Sequence, residues 1–146
     1  MTGCVFCRIV EGEIQSRKLY EDDRTLAFLD IMPASEGHAL VIPKGHYETL
    51  LDISKEELKK LIVAVREVAK AVIQSTNATG FNVLQSNKAI AGQVVPHVHF
   101  HIIPRYEGDG LHFHWPHKSA GDDELTAMQK KISSAIRSIS EGEVFG

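Results

Sequence analysis

At 146 residues, with 43% hydrophobic and 24% charged side chains, the chain can bury one substantial core and is short for two full domains. A formal net charge of -3 offers no basic footprint for a polynucleotide, and no apolar run reaches the length of a membrane span. Both cysteines lie in Cys4-Val5-Phe6-Cys7, which excludes a long-range disulfide framework; with Arg8, Glu11 and Glu13 breaking any apolar leader, the composition predicts a soluble cytoplasmic protein.

In chain order, residues 19–21, 25–30 and 37–43 read as three antiparallel strands, separated by Asp22-Asp23-Arg24 and by Ile31-Met32-Pro33-Ala34-Ser35-Glu36. Ser54-Lys55-Glu56-Glu57 has the form of a capping box. Leu58, Leu61, Ile62, Val65, Val68, Ala69 and Val72 follow at helical spacing until Asn77 and Gly80, so a long amphipathic helix covers one sheet face. Residues 81–84 read as a fourth strand, 87–93 as a polar loop containing Gly92, and 98–103 as a fifth strand ended by Pro104. Gly108, Gly110 and Pro116 mark irregular chain, after which Leu125, Met128, Ile132, Ala135, Ile136 and Ile139 predict a second amphipathic helix. The chain thus divides into a domain over residues 1–105 and a helical extension over 106–146.

Chemistry concentrates in His97-Val98-His99-Phe100-His101-Ile102-Ile103. The two-residue period of a strand sets three imidazoles on one face and turns Val98, Phe100 and Ile102 into a core, leaving the histidine face outward. Three neutral imidazoles can hold a metal. Equally, one nitrogen can attack phosphorus while its neighbours handle protons and negative charge. His112, His114 and His117 gather around Trp115 in irregular chain, where solvated histidines are the ordinary case, and they are assigned no metal.

The seven-residue run resembles the signature of the histidine triad, or HIT, superfamily. Ala91-Gly92-Gln93-Val94-Val95, Phe28-Leu29-Asp30-Ile31 and Gly37-His38-Ala39-Leu40-Val41-Ile42-Pro43-Lys44 resemble it too, so the likeness covers about residues 4–104. Asp30 and Trp115-Pro116 are similar to the Hint group of purine nucleoside phosphoramidases. His101-Ile102-Ile103-Pro104-Arg105 is similar to bacterial and archaeal relatives and to the Fhit branch; the chain is identified as a Hint-like microbial member. The resemblance implies an α+β fold with a five-stranded antiparallel sheet, a long helix and a C-terminal helix. It also implies a homodimer in which two such sheets join across a two-fold axis into a ten-stranded one.

The implied activity is hydrolysis at the α-phosphorus of nucleoside phosphoramidates or related nucleotide esters, through a covalent nucleotidyl-histidine, with an adenosine-type purine nucleotide as substrate and AMP as product. Alternatives are a dinucleoside polyphosphate hydrolase and a purine-nucleotide-binding regulatory module with incidental turnover. Carried onto this chain, the family pattern makes His99 the nucleophile, with His101 at a phosphate oxygen or the leaving group and His38 supporting the imidazole network. Asp30 takes the ribose hydroxyls, Phe6, Ile9, Phe28, Leu29 and Ile31 enclose the base, and Gly92 and Gln93 approach the phosphate. Microbial relatives hold structural zinc at the positions of Cys4, Cys7, His46 and His97, and four protein ligands would close such a site. Two departures stand out. Ser86 occupies the phosphate-contacting position where Hint proteins carry Asn and Fhit carries Gln, and Val94 replaces a small hydroxyl residue.

Overall fold

The protein is described by a computed structural model over residues 3–142. Its sheet comprises β1 (Lys18–Glu21), β2 (Thr25–Leu29), β3 (Ala39–Pro43), β4 (Gly80–Gln85) and β5 (Phe100–Arg105), all pairs antiparallel, in the order β1-β2-β3-β5-β4. Along β3 no residue is exposed. Ala-Leu-Val-Ile-Pro lacks polar alternation because both faces of this central strand are covered.

One cover is α2 (Lys55–Ser75), started as expected by the Ser54 hydroxyl, which accepts the Glu57 N–H at 3.2 Å. Its buried stripe, Leu61, Ala64, Val65, Val68, Ala69 and Val72, packs with Ala27, Ala39, Val41, Val98, Phe100 and Ile102. The other cover is α1 (Val5–Val10), which the sequence reading did not contain; six residues are too few to show a helical period. Here the Cys4 thiol stands in for the usual hydroxyl cap and accepts the Cys7 N–H at 3.4 Å. Phe6, Cys7 and Ile9 of this helix join Leu26, Phe28, Leu40 and Ile42 in a second apolar cluster.

The second cluster corrects one expectation. The histidine face does not look outward: His97 is fully buried, His99 is 6% exposed, and Phe6 stands edge-on to both rings. A second correction concerns Pro104, which lies within β5 rather than ending it. The Ser35 hydroxyl donates to the Pro104 carbonyl at 2.6 Å, on the side where β3 pairing has already stopped at Ala39–Ile102. A strand residue turns its nitrogen and its carbonyl to the same edge, so the missing N–H costs no ladder bond there. Strand β5 itself begins at Phe100, and His97 and His99 lie just before it, His97 in a bend.

Beyond β5 the Arg105 guanidinium holds Asp109 through two bonds (2.7 and 3.1 Å) and also reaches Asn82 and the Leu111 carbonyl. The first compact unit accordingly runs through Leu111, and a second one begins at His112. The second unit contains α3 (Asp122–Gly142), whose first turn carries Asp122, Asp123 and Glu124, the charge sign that a helix N-terminus favours. None of its residues is buried. No described helix is long and apolar enough to cross a membrane.

Candidate active site and metal centre

Helix α1 brings two thiols to two imidazoles from distant chain. Cys4 Sγ lies 3.4 Å from His97 Nδ1, Cys7 Sγ lies 3.3 Å from His46 Nδ1 and 3.6 Å from His97 Nδ1, and the two imidazole nitrogens are 3.3 Å apart. Bond lengths of about 2.3 Å to sulfur and about 2.0 Å to nitrogen, joined at tetrahedral angles, require edges of about 3.5 Å (N to S) and about 3.3 Å (N to N). The quartet therefore has the dimensions of a closed tetrahedral site. The tautomer agrees: His97 Nε2–H donates to the Pro43 carbonyl at 2.8 Å, which leaves the Nδ1 lone pair facing the thiols. Burial pushes His97 down to about 4, so its imidazole is neutral near pH 7. Burial also pushes the Cys7 thiol up to about 11, reinforced by its hydrogen bond with Cys4; a bound cation is what would make these sulfurs thiolates.

A second convergence joins Asp30, His38 and His101, which also lie within reach of a common ion. Hydrogen bonding argues against a metal there. The Ala34 N–H donates to His38 Nδ1 at 2.9 Å, so neutral His38 carries its proton on Nε2, where it faces His101 Nδ1 at 2.9 Å. Ligation through Nε2 would demand an imidazolate. The same bond fixes the next ring: with Nδ1 accepting, neutral His101 carries its proton on Nε2. Burial lowers His38, opposed by Asp30, and burial with His99 and His38 nearby pushes His101 down to about 4.

His99 is set the opposite way. Its Nδ1–H donates to the His97 carbonyl at 2.7 Å, leaving the Nε2 lone pair without a partner among the described residues, and burial lowers its basicity. With ring centroids 4.9 Å apart, His99 offers a lone pair beside the N–H that His101 offers. Both rings line a cavity of about 410 Å³ whose wall includes Phe6, Ile9, Phe28, Leu29, Asp30 and Ile31, all six named from sequence for base and ribose. Sequence reasoning missed Ile14, Gln15, Ser16 and Met32 on the same wall, and took Val94 for a lost contact rather than a wall residue. The bond from Leu29 N–H to the Arg17 carbonyl, and the turn after Asp30, where Asp30 Oδ1 accepts the Met32 N–H at 2.8 Å, bring Ile14, Gln15, Ser16 and Met32 there.

Ser86, Gly92 and Gln93 do not line that cavity. The Gln93 amide is bonded at both ends, donating to the Glu48 carbonyl at 2.6 Å and accepting the Lys88 N–H at 2.7 Å. This clasp holds Lys88 at φ 74°, a left-handed value costly for a residue with a Cβ. Gly92, at φ 95°, meets the same demand without strain and lies beside Ser86. His112 and His114 are exposed and stack at 5.9 Å; His117 is exposed too.

Comparison with known proteins places this geometry. A family model described as the HIT domain matches residues 11–108. An adenosine 5'-monophosphoramidase of Schizosaccharomyces pombe is 45% identical over 136 residues, covering 92% of this chain and 99% of its own. The crystal structure of a HIT-family member from Bacillus subtilis superposes with a TM-score of 0.86 at 40% identity, covering 90% of this chain and 96% of that one. A zinc-bound histidine triad family protein from Mycobacterium smegmatis superposes at 0.72 with 34% identity, covering 92% and 98%.

The quartet predicts one tetrahedral divalent ion per chain after purification without chelators, measured by elemental analysis. Cys4→Ser should release it and lower stability, by roughly 3 kcal/mol where the free metal stands a hundredfold above its Kd. Metal-free protein of unchanged thermal midpoint would refute the site.

Proposed function

We propose, for a chain that belongs to the HIT family, a nucleotide hydrolase that acts at the α-phosphorus of adenosine phosphoramidates or related nucleotide esters and releases AMP. The observation that carries the reading is the bond from His99 Nδ1–H to the His97 carbonyl, which aims an unprotonated Nε2 at a cavity of nucleoside size. Asp30 and the apolar wall hold ribose and base. Ser86 offers its hydroxyl toward the phosphate, while Gly92 and Gln93 shape the loop beside it: their N–H groups donate to the Ala89 and Lys88 carbonyls at 3.0 and 3.1 Å, and the Gln93 amide bonds Lys88 and Glu48.

His99 Nε2 attacks phosphorus, the bond to the leaving nitrogen or oxygen breaks, and a nucleotidyl-histidine results. His101 Nε2–H meets the atom that gains negative charge, and His38 holds that proton in place through His101 Nδ1. The leaving group takes up a proton from solvent as it departs; water then attacks the same phosphorus, returns one proton to solvent, and leaves His99 in its neutral form.

The Cys4, Cys7, His46, His97 set fits zinc by donor type and by dimensions, and four protein ligands make that zinc structural. When bound, it would supply no Lewis acid to the reaction; it would fasten α1, and with it Phe6 and Ile9, over the histidines. Thiols kept for a metal suit a reducing, cytoplasmic compartment.

The pairing surface is β4. Strand β1, the other sheet edge, carries Lys18 and Glu21, which are bonded to each other, with Glu21 also paired to Lys44, and charge discourages edge pairing. Strand β4 has no charged residue, and its exposed Phe81 and Val83 border a groove of about 720 Å³ shared with Ile62 and Ile73 of α2. Two β4 edges joined across a two-fold axis give the ten-stranded sheet.

His99→Ala should abolish hydrolysis of adenosine 5'-phosphoramidate by about a thousandfold or more while AMP binding persists, and a trapped nucleotide should map to His99. Near-normal turnover, or label on another residue, would refute the mechanism. Depressed imidazole pKa values keep the nucleophile unprotonated into mild acid, so kcat/KM should stay level from neutrality downward and fall only below about 6.5, the ordinary imidazole value. An acid limb above that value would contradict burial as the controlling effect. Light scattering at micromolar concentration should give twice the chain mass, and Val83→Glu should halve it; a monomeric parent chain would exclude the shared sheet.

A further inference from the structure

Charge on the wall of the histidine cavity is one-sided. Among the described residues, its ionisable side chains are Asp30, from the turn after β2, and the imidazoles of His99 and His101. Asp30 accepts the Met32 N–H at 2.8 Å and lies 3.5 Å from His38 Nε2. The two rings are bonded as neutral imidazoles are: His99 donates from Nδ1 to a carbonyl, and His101 accepts at Nδ1 from His38. Helix α1 and residues 14–16 add apolar side chains and the uncharged Gln15 and Ser16, and the rim is apolar, with Val5, Ile31, Met32 and Val94 exposed around it. Neighbouring cations lie off the wall: Arg8 is bonded to Glu13 at 3.1 Å, Lys88 to Glu48 at 2.9 Å, and Arg17 is exposed beyond Ser16. A phosphorus group held here meets hydrogen-bond donors rather than a countercharge. Each negative charge it brings is opposed by Asp30 across a mostly apolar cavity, where charges are weakly screened.

On the nucleotide reading above, we infer that the site selects by charge: it takes a nucleotide whose phosphorus group carries a single negative charge and disfavours a phosphate dianion or a polyphosphate. A phosphoramidate or a diester keeps one charge across neutrality, whereas a phosphate monoester such as AMP loses its second proton near about pH 6. Cleavage therefore turns a preferred ligand into a disfavoured one, and the second charge of the product promotes its release.

The test uses the full-length, metal-replete protein and titration calorimetry with AMP and with its methyl phosphate ester, which holds one charge throughout the pH series. From about pH 6 to about pH 8 the AMP dissociation constant should rise by about tenfold or more, since only the shrinking monoanion fraction binds well, while that of the methyl ester stays level within about twofold. Near about pH 7.5, AMP binding should take up about one proton, read from the heat in buffers of different ionisation enthalpy, and the methyl ester none. Val94→Lys, a cation set on the exposed rim of the loop beside the phosphate, should flatten the AMP profile and strengthen ADP more than the methyl ester. An AMP constant that does not change with pH would overturn the inference. So would a rise shared equally by the methyl ester, which would place the titrating group on the protein. A parent chain that binds neither ligand at any pH would instead sink the nucleotide reading, and this inference with it.

Discussion

The imidazole of His97 is the joint on which both halves of the site hang. Fully buried, it must place each of its polar atoms on a partner, because the interior offers no water to substitute. Its Nε2–H goes to Pro43 at the end of β3, its Nδ1 turns to the α1 thiols and to His46, and its own carbonyl receives His99. One residue thereby couples a central strand, the N-terminal helix and the orientation of the His99 ring. Loss of the ring would loosen the metal quartet and the backbone that aims His99 together.

Neutrality is what gives the arrangement direction. A charged imidazole donates from both nitrogens, but a neutral one donates from one and accepts at the other, so a single backbone contact decides both ends of the ring. Burial keeps His97, His99, His101 and His38 in that neutral state, and two backbone anchors of opposite sense then sort the rings. A carbonyl on His99 Nδ1 leaves a lone pair at Nε2. An amide N–H on His38 Nδ1, relayed through one further bond, leaves an N–H at His101 Nε2. Desolvation, elsewhere a cost, here sets a lone pair beside a hydrogen-bond donor without a charged residue between them.

The surrounding fold maintains these contacts by packing rather than by salt bridges, which lie at partly or well exposed side chains away from the cavity, apart from the His38–Asp30 contact. Layer α2 closes one face of β3 and β5; α1, small as it is, closes the other and doubles as the cavity's wall through Phe6 and Ile9. Strain at Lys88 is tolerated because the Gln93 amide is bonded at both ends, which over-determines the loop leading to the triad.

What the sequence determined by itself is whatever repeats locally. The alternation from His97 to Ile103 announced a strand with Val98, Phe100 and Ile102 in the core, and Ser54 with the 3.6-residue stripe after it announced α2 to within a turn. Resemblance, resting on the same local motifs, named the two cysteines and two histidines that the fold brings within bonding distance of a common ion. Tertiary structure alone decided the rest. Helix α1 is too short to carry a period, Pro104 survives in β5 because β3 stops beside it, and Gln93 braces its own loop. The proton on His38 was set by Ala34, and the proton on His99 by the His97 carbonyl. Each of these depends on which backbone groups and apolar surfaces meet a side chain, and neither residue type nor spacing along the chain encodes the direction of a hydrogen bond.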